Sequence, residues 1–395
     1  MLTQVFPHSG EWFLTGEARA LEKEFGANLI WFPRAVGQRS LLNGPSLVED
    51  YTLSSLGKLI LGFVHFPVQP FFFEVKVLLR ARRLRGIVTL FRGALDVGAR
   101  LGFLLKAPSC SVYYSYWSSI DGIVAKLAAE RNSAVSIIRS HGSDFYPDEF
   151  GVPRPFVNYL HSPRGAATVH VYLSTKAQTF AEHFFGRVPS IVSSLGIELS
   201  EKLTPGGRPS QEVRLKFTMV SASSPSPLKR LDLIAKVFRE LESRGVVSGW
   251  THFGSEDADF FERVGMDLID HPNVVCRGLI PNNELRYDLA QFEKGFFINL
   301  SSAEGLPVTL LEAGISGLPI AATNVGAVSD LIDEDTGLLL DAGLSPRDLA
   351  QSISQWLNEK NLVGQVDNLR ARIRANHDSV KTNERMVDLV REMLT

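Results

Sequence analysis

The chain of 395 residues has only two cysteines, Cys110 and Cys276. Two thiols are too few for a disulfide framework or a cysteine metal cluster, so the sequence predicts a protein of a reducing compartment. The nine histidines show no H-E-x-x-H or other paired-ligand spacing, and no metal site is expected. The sequence also lacks the G-x-x-x-x-G-K-[ST] and strand-linked G-x-G-x-x-G motifs, which leaves P-loop and dinucleotide-binding functions without support.

Long apolar runs and net charge are also scarce. No window has the roughly 20 apolar residues of a membrane span, and the apolar stretch 59–73 contains His65, Pro67, Gln69 and Pro70, which would break a spanning helix. The first residues show no secretory signal. A soluble, cytoplasmic protein is expected, or one peripheral on the inner face of the cytoplasmic membrane. The net charge of −2 excludes a globally basic nucleic-acid binder.

The charges are unevenly divided along the chain. Residues 1–205 carry a net charge of +5 and residues 206–395 one of −7, which indicates two domains with different partners. The Pro-Gly-Gly at 205–207 marks the boundary. We therefore predict an N-terminal domain over 1–205 and a C-terminal domain over 206–375. Residues 376–395 are expected to form a C-terminal helix, for which a return to the N-terminal domain is one alternative.

Short apolar runs alternate with helical patterns in both halves. The runs predict strands, at 111–117, 135–142, 168–174, 216–222, 295–301 and 318–324. Strands alternating with helices predict an α/β fold with two doubly wound, parallel-sheet domains facing each other across a cleft. In such domains ligands bind at the carboxyl ends of the strands.

The fifth of these strands is followed by the most informative segment of the sequence. Glu304, Gly305 and Leu306 form a turn, and a helix is expected from Pro307, because proline suits the first helical turn. Backbone N–H groups at such a helix start suit a phosphate. Glu312 lies eight residues after Glu304, about 12 Å if helical rise held throughout, so the two carboxylates can contact opposite ends of a sugar nucleotide. An isolated pair of this kind would be a helix cap and a solvated surface residue.

The stretch from Glu304 to Glu312, E-G-L-P-V-T-L-L-E, resembles the E-x7-E motif of the retaining family 4 glycosyltransferases. The following GISGLPIAATNVGAVSDLI resembles the SGxPVIATxVGGxPE stretch of the same family, and weaker similarity extends over nearly the whole chain. The resemblance implies the GT-B fold, with a Rossmann-like acceptor-binding domain over 1–205 and a Rossmann-like nucleotide-sugar-binding domain over 206–375. It also implies that Glu304 orients the transferred sugar and that Glu312 holds the donor ribose.

Lys229 and Arg230 follow a proline at the expected start of an apolar-periodic helix. Two cations there oppose the helix macrodipole, which a bound anion would relieve; an exposed basic pair is the alternative. The resemblance implies that Lys229 contacts the donor diphosphate. It also places Ser224 where the family commonly has an arginine, and a hydroxyl is a poor substitute for a planar cation. Either Arg230 and the donor groups of 223–226 compensate, or the enzyme is weak or silent.

The resemblance implies further site residues in the first half of the chain. His141 matches a histidine of the family that contacts the transferred sugar, whereas a lone histidine at a strand end is otherwise a hydrogen-bonded turn residue. Asp144 is expected to cap the next segment, with binding of acceptor hydroxyls as the alternative. Ser9 and Gly10 match the loop that approaches donor and acceptor.

Residues 71–100 combine three consecutive phenylalanines at 71–73, seven basic residues and interleaved aliphatic residues. This composition suits the surface of an anionic membrane, and an ordinary solvated helix with a basic outer face is an equal alternative. Nucleic acid is not expected as a partner, because no aromatic stacking motif accompanies the arginines.

The predicted function is that of a hexosyltransferase that uses a UDP- or GDP-sugar and a glycan or lipid-linked acceptor, in synthesis of cell-surface polysaccharide or glycolipid. The resemblance implies no protein nucleophile, no obligatory metal and no other cofactor, because Lys229 and the helix dipole stabilise the departing diphosphate. The alternatives are a nucleotide-sugar epimerase of the same fold and a catalytically silent sugar- or lipid-binding partner.

Overall fold

The computed structural model describes residues 2–5, 12–35, 47–48, 54–80, 86–145, 155–165, 167–199 and 216–395. The chain divides into two compact units. The first consists of Met1–Gly196 and Ser379–Thr395, and the second of Ile197–Asp378. The division falls ahead of the expected boundary at 205, and the last helix of the chain belongs to the first unit.

The first unit is built on a parallel sheet of seven strands in the order β3-β2-β1-β4-β5-β6-β7. The strands are β1 (Leu2–Val5), β2 (Ile30–Ala35), β3 (Leu47–Val48), β4 (Val112–Ser115), β5 (Val135–Ser140), β6 (Thr168–Tyr172) and β7 (Ser190–Val192). The described helices before the second unit are α1 (Trp12–Phe25), α2 (Ser55–Val64), α3 (Val68–Arg80), α4 (Gly86–Leu104), α5 (Ile120–Arg131), α6 (Gly142–Phe145), α7 (Val157–Leu160) and α8 (Thr175–Phe185).

The core of the first unit lies between the sheet and the helices α4 and α5. Leu90, Val97 and Leu101 of α4 pack with Ile123 and Val124 of α5, and all five side chains are buried. Strands β4 and β5 are buried almost throughout, since helices cover both faces of a parallel sheet.

The apolar stretch at 59–73 is divided between α2 and α3. The two helices are bent by 84° at the break, which contains His65 and Pro67 as the sequence predicts. Pro70 does not break α3, because it lies in the first helical turn, where its missing N–H has no intrahelical partner. Among the described residues no single helix is long and apolar enough to cross a membrane, although α2 and α3 together reach the length and composition of a bent span.

The second unit has a parallel sheet of six strands in the order β10-β9-β8-β11-β12-β13. The strands are β8 (Phe217–Ala222), β9 (Val247–Phe253), β10 (Val274–Cys276), β11 (Gly295–Asn299), β12 (Ile320–Thr323) and β13 (Leu338–Leu340). Its helices are α9 (Leu231–Ser243), α10 (Asp257–Val264), α11 (Asn282–Leu289), α12 (Val308–Ser316), α13 (Val328–Leu331), α14 (Pro346–Glu359) and α15 (Leu362–Asn376), and the chain ends with α16 (Ser379–Leu394) in the first unit.

All six strands predicted from the sequence are confirmed, as β4, β5, β6, β8, β11 and β12. The α9 helix shows why the helical patterns were readable: Leu231, Ile234, Phe238 and Leu241 recur on one face, and all are buried in the core of the second unit. Phe238 packs against Trp250 of β9 with ring centroids 5.9 Å apart. The α/β fold class with two parallel sheets is therefore confirmed.

Candidate active site

A pocket in the second unit lies where the strand order of its sheet reverses. β8 and β11 are neighbours there. The strand that follows β8 along the chain, β9, lies on one side of this pair, and the strand that follows β11, β12, lies on the other side. The pocket is open to solvent and is lined by Ser221 and Ser223 at the end of β8, by Asn299 and Ser301 at the end of β11, and by Lys229. Ligands of doubly wound sheets bind at this position, outside the carboxyl ends of the strands.

Glu304 accepts three hydrogen bonds beside this pocket. Its Oε1 accepts from Lys229 Nζ at 2.6 Å, from Ser301 Oγ at 2.7 Å and from Asn299 Nδ2 at 3.1 Å. Asn299 Oδ1 accepts the backbone N–H of Ser301 at 3.0 Å, which fixes the orientation of the amide. The side chain of Glu304 is 7% exposed and that of Lys229 is 26% exposed. The carboxylate is therefore held in place while the ammonium still reaches solvent.

The helix expected at Lys229 and Arg230 is α9, which begins at Leu231 with Arg230 as its N-cap, so Lys229 lies just ahead of it. Residues Pro227–Lys229 form a 3-10 turn, and Arg230 follows with a left-handed backbone (φ 51°). The left-handed residue ends the turn and sets a new direction, so α9 begins one residue later. The lysine is presented on a turn at the pocket edge instead of being part of the helix.

Arg230 and Ser224 are placed less favourably for a ligand of the pocket. The Arg230 guanidinium donates through Nη1 to the carbonyl oxygen of Ala342, at 3.0 Å. Ser224 is exposed. Arg230 is thus already engaged by the backbone after β13, which weakens it as a substitute for the arginine of the resembled family.

The turn after β11 leads into α12 within one residue of the predicted start. Pro307 (φ −75°, ψ 104°) is the N-cap, and the helix begins at Val308. Gly305 is partly exposed, whereas Leu306 and Pro307 are buried. The first N–H groups of a helix have no intrahelical acceptor, and no side chain among the described residues caps them here. This helix start keeps its capacity to donate to an anion.

Two contacts support the turn. The backbone N–H of Ser302 donates to the carbonyl oxygen of Leu228 at 2.8 Å, which joins the loop after β11 to the 3-10 turn that carries the lysine. Gly326 has a φ of 53°, and a Cβ at that position would overlap the carbonyl oxygen of Glu304. Glycine is therefore required for this close approach, which explains the glycine in the V-G-A sequence physically.

Glu312 lies in α12 and is 1% exposed. The alternative that it is a solvated surface residue is therefore wrong. On the same helix Gly314 packs against α15, since a Cβ there would lie 2.7 Å from the side chain of Leu369. This packing fixes the helix, and with it the carboxylate of Glu312, within the second unit.

His141 follows β5 in the first unit and is 7% exposed. Its ring lies 4.2 Å from that of Trp117, and its Nε2 is 3.1 Å from the carbonyl oxygen of Tyr116. A carbonyl only accepts, so Nε2 carries the proton in this bond. Burial, together with the nearby Arg139 guanidinium, lowers the pKa of His141 to about 3. The imidazole is therefore neutral at physiological pH and acts as a hydrogen-bonding group.

The Asp144 carboxylate closes the turn after His141. Its Oδ2 accepts the backbone N–H groups of His141 at 2.9 Å and of Ser118 at 3.3 Å, and the residue is 1% exposed. This geometry is that of a buried cap. Ser9 and Gly10 lie outside the described residues.

A chain of hydrogen bonds that the sequence did not reveal lies behind the pocket. Ser255 Oγ donates to the Ser223 carbonyl oxygen at 3.0 Å, so it accepts from His252 Nε2 at 2.9 Å. His252 Nδ1 then accepts from Ser221 Oγ at 2.8 Å, and Trp250 donates to that same hydroxyl at 2.9 Å. Burial lowers the pKa of His252 to about 3, which keeps the imidazole neutral. The chain fixes the two serines that line the pocket from β8.

The pocket groups suit an anion better than a cation. The Lys229 ammonium has three N–H donors, and the one bond it makes to a described side chain uses one of them, toward Glu304. Clusters of three or more His, Cys, Asp or Glu side chains able to hold a metal ion are absent from the part of the chain that the structure describes.

Residues 213–379 match the family described as glycosyl transferases group 1. The putative teichuronic acid biosynthesis glycosyltransferase TuaC of Bacillus subtilis (strain 168) is 25% identical over 277 residues, 68% of this chain and 67% of that protein. The probable sucrose-phosphate synthase 2 of Craterostigma plantagineum is 28% identical over 166 residues, 37% of this chain. The match spans only 15% of that synthase.

Solved structures extend the likeness over the whole chain. HepE of Anabaena, in complex with UDP-glucose, matches with a TM-score of 0.67 over 99% of both chains at 15% identity. A sucrose-phosphate synthase of Thermosynechococcus elongatus matches with a TM-score of 0.68 over 100% of this chain and 98% of its own, also at 15% identity. At such low identity the likeness concerns the fold, and it confirms the expected GT-B type.

Proposed function

We propose that this chain, which has a GT-B fold and whose residues 213–379 match the family described as glycosyl transferases group 1, transfers a sugar from a UDP- or GDP-activated donor to a hydroxyl acceptor with retention of anomeric configuration. The observation that carries the proposal is the ion pair of Lys229 and Glu304 at the carboxyl ends of β8 and β11, beside the start of α12. HepE and the pneumococcal O-GlcNAc transferase GtfA, both similar in fold, were solved with UDP and a sugar, which supports a nucleotide-sugar donor.

The reaction requires stabilisation of a departing diphosphate while the anomeric carbon changes its oxygen partner. The bond from the anomeric carbon to the diphosphate oxygen breaks, a bond to the acceptor oxygen forms, and the acceptor hydroxyl passes its proton to the departing diphosphate. Negative charge therefore grows on the diphosphate. The remaining N–H donors of Lys229 and the backbone N–H groups of Gly305 and Leu306 can stabilise this charge by donating hydrogen bonds to it. Such fixed donors, aimed where charge develops, are a large source of rate enhancement.

The other site residues have orienting roles in this proposal. Glu304 holds Lys229 in position and contacts the sugar hydroxyls, and Glu312 accepts the ribose hydroxyls. His141 contacts the transferred sugar as a neutral hydrogen-bonding group, because its pKa of about 3 excludes acid–base work at physiological pH. No protein nucleophile and no metal enter the proposal.

For the acceptor we propose a glycan or a lipid-linked glycan in cell-surface polysaccharide or glycolipid synthesis. The similarity to TuaC, which is named for teichuronic acid biosynthesis, supports this class. A lipid-linked acceptor lies at a membrane surface, so the proposal includes peripheral attachment to the inner face of the cytoplasmic membrane through residues 71–100. Of these, 81–85, with three of the arginines, lie outside the described residues.

One observation favours a second candidate, a catalytically silent sugar-binding partner. Ser224 is exposed where the resembled family has an arginine, and Arg230 is engaged by the Ala342 carbonyl. Diphosphate stabilisation then depends on Lys229 and the helix start alone.

The test is to incubate the purified protein with UDP- and GDP-sugars, with and without membrane lipid extract. Acceptor-dependent nucleotide release with retained configuration in the product is expected. A new donor epimer would instead indicate an epimerase, and nucleotide binding without turnover would indicate the silent partner. Glu312→Gln should lower turnover at least tenfold, a loss of roughly 1.5–3 kcal/mol of charge-assisted bonding. Glu359→Gln, at an exposed position of α14, is the matched control and should not.

A further inference from the structure

In α2 the large apolar side chains face outward and a glycine faces inward. A helix that packs on the core of a water-soluble protein has the reverse arrangement. The one residue buried in it is Gly62. Leu56, Ile60, Phe63 and Val64 recur at helical spacing and are between 54% and 69% exposed. Burying such side chains is the usual source of helix stability in water, so this arrangement indicates that something other than water covers the outer face.

Close backbone packing explains which face is turned inward. A Cβ on Gly62 would lie 2.6 Å from the carbonyl oxygen of Leu95, and a Cβ on Gly98 would overlap the carbonyl oxygen of Gly62. The two helices α2 and α4 thus cross at glycines, a packing in which small residues let backbones approach. This contact fixes the rotation of α2 and directs its large apolar side chains outward.

The exposed face continues from α2 onto its neighbours. Phe63 lies with its ring 6.4 Å from that of Phe91 on α4, and Phe91 lies 6.1 Å from Phe71 on α3. Phe71 contacts Phe72 at 5.5 Å. Phe72 and Phe91 are themselves exposed. We call this continuous face the α2–α4 apolar surface; it consists of Leu56, Ile60, Phe63, Val64, Phe72 and Phe91.

The charges around the α2–α4 apolar surface have one sign. Within the described ranges 54–80 and 86–104, the exposed charged side chains are all cationic: Lys58, Lys76, Arg80 and Arg92. Of the two carboxylates there, Glu74 is buried and accepts the Tyr159 N–H at 2.7 Å, and Asp96 pairs with Arg100 at 3.6 Å. A second copy of the chain would bring the same cations to the contact, whereas an anionic lipid surface would neutralise them.

We propose that the α2–α4 apolar surface docks on an anionic lipid membrane, with α2 lying in the interface and inserting its apolar side chains below the headgroups. Apolar insertion and cation attraction together are the two signals by which interfacial helices bind. Docking would give the chain access to a lipid-linked acceptor, and for this purpose alone the inference rests on the proposed function. It assigns the main contact to α2, which precedes the basic stretch 71–100.

The first test is flotation of the full chain with phosphatidylcholine vesicles, with and without phosphatidylglycerol. The wild type should float with the anionic vesicles only. The triple variant Leu56→Gln, Ile60→Gln, Phe63→Gln should lose at least about tenfold in partitioning, because three apolar side chains no longer insert. The matched control Met266→Gln, Ile269→Gln, Leu279→Gln changes three exposed apolar side chains of the second unit and should float like the wild type.

A second test reports on insertion itself. Phe63→Trp should add fluorescence that shifts to shorter wavelength on anionic vesicles and is quenched by lipids brominated in the acyl chain. Undiminished flotation of the triple variant, or an added tryptophan signal that brominated lipids leave unchanged, would overturn the proposal. Concentration-dependent dimerisation lost in the triple variant, without flotation of the wild type, would overturn it in favour of a second copy.

The failure of this inference is distinguishable from failure of the proposed function. UDP and GDP titrations are run on the triple variant and the wild type in the absence of vesicles, and equal affinity is expected, because the variant residues lie in the first unit and outside the donor pocket. A wild type that floats but turns over no nucleotide sugar would leave the docking surface intact and count against the transferase alone.

Discussion

The two units differ in how far their buried ion pairs are exposed to solvent. In the first unit the pair of Arg139 and Glu17 has side chains 1% and 4% exposed, and Nη2 of Arg139 donates to the carbonyl oxygens of Ser193 and Ser194 at 3.2 and 3.3 Å. In the second unit the pair of Lys229 and Glu304 is 26% and 7% exposed and lies beside a pocket.

This difference in exposure indicates which of the two ion pairs can bind a ligand. Burial alone would lower the pKa of Arg139, but the carboxylate of Glu17 together with the side chains of Tyr116 and Tyr114 raises it overall, so the guanidinium stays charged inside the unit. A charge so enclosed serves structure. Lys229 keeps donors toward solvent, and a charge that is anchored on one side and open on the other suits ligand binding.

The largest effect is expected from Arg139→Met, which removes one partner of the enclosed pair. Leaving a buried carboxylate without its cation costs about 3–5 kcal/mol, so the free energy of unfolding of the first unit should fall by that amount in urea titrations. The matched control is Arg391→Met, which removes a surface pair with Glu24 and should change little. Equal, small effects of the two variants would contradict the structural role of the enclosed pair.

Acid should separate the two units. His141 and His161 in the first unit have pKa values lowered to about 3 and about 4 by burial, and that of His170 lies well below its usual value for the same reason. In the second unit His252 is the corresponding neutral histidine among the described residues. Below pH 6.5 the unfolded chain takes up protons that these folded imidazoles refuse, so stability is complete above pH 6.5 and falls toward pH 4.

Each such histidine contributes a slope of about 1.4 kcal/mol per pH unit, so the first unit should lose stability faster than the second. Hydrogen exchange followed by mass spectrometry at pH 7 and pH 5, corrected for intrinsic rates, measures both units in one sample. Faster acid loss in the second unit would contradict this reading of the buried histidines.

The smallest effects concern the missing arginine of the donor site. Ser224→Arg should tighten binding of UDP or GDP by a few-fold, roughly 0.5–1 kcal/mol, because the new cation is at an exposed position. Arg230→Ala should leave the affinity unchanged, because its guanidinium donates to the Ala342 carbonyl. Calorimetric titration measures both. A loss of affinity in Arg230→Ala would restore Arg230 as the compensating group, and binding by neither variant nor wild type would favour the silent partner.

The sequence predicted the sheets well because parallel strands buried on both faces are nearly continuous apolar runs, as in β11 and β12. The helix starts beside them singled out Glu304 and Lys229, which pair although they are 75 residues apart, and the resemblance to a family indicated their roles. The left-handed Arg230 was missed, since no glycine or asparagine marks it. His252 was missed because a histidine in a strand shows its value only when Ser221 and Ser255 are brought beside it. The outward apolar face of α2 depends on the tertiary contact of Gly62 with α4.

We propose that the donor diphosphate binds at the partly exposed pair of Lys229 and Glu304. Calorimetric titration of UDP and of GDP into the wild type, Lys229→Met and Lys236→Met tests it most directly, since Lys236 is a surface lysine of α9 paired with Asp232. Lys229→Met should lose at least tenfold in affinity for the nucleotide that the wild type binds, which is a loss of roughly 1.5–3 kcal/mol in binding free energy. Lys236→Met should lose none. Equal affinity of all three proteins would contradict it.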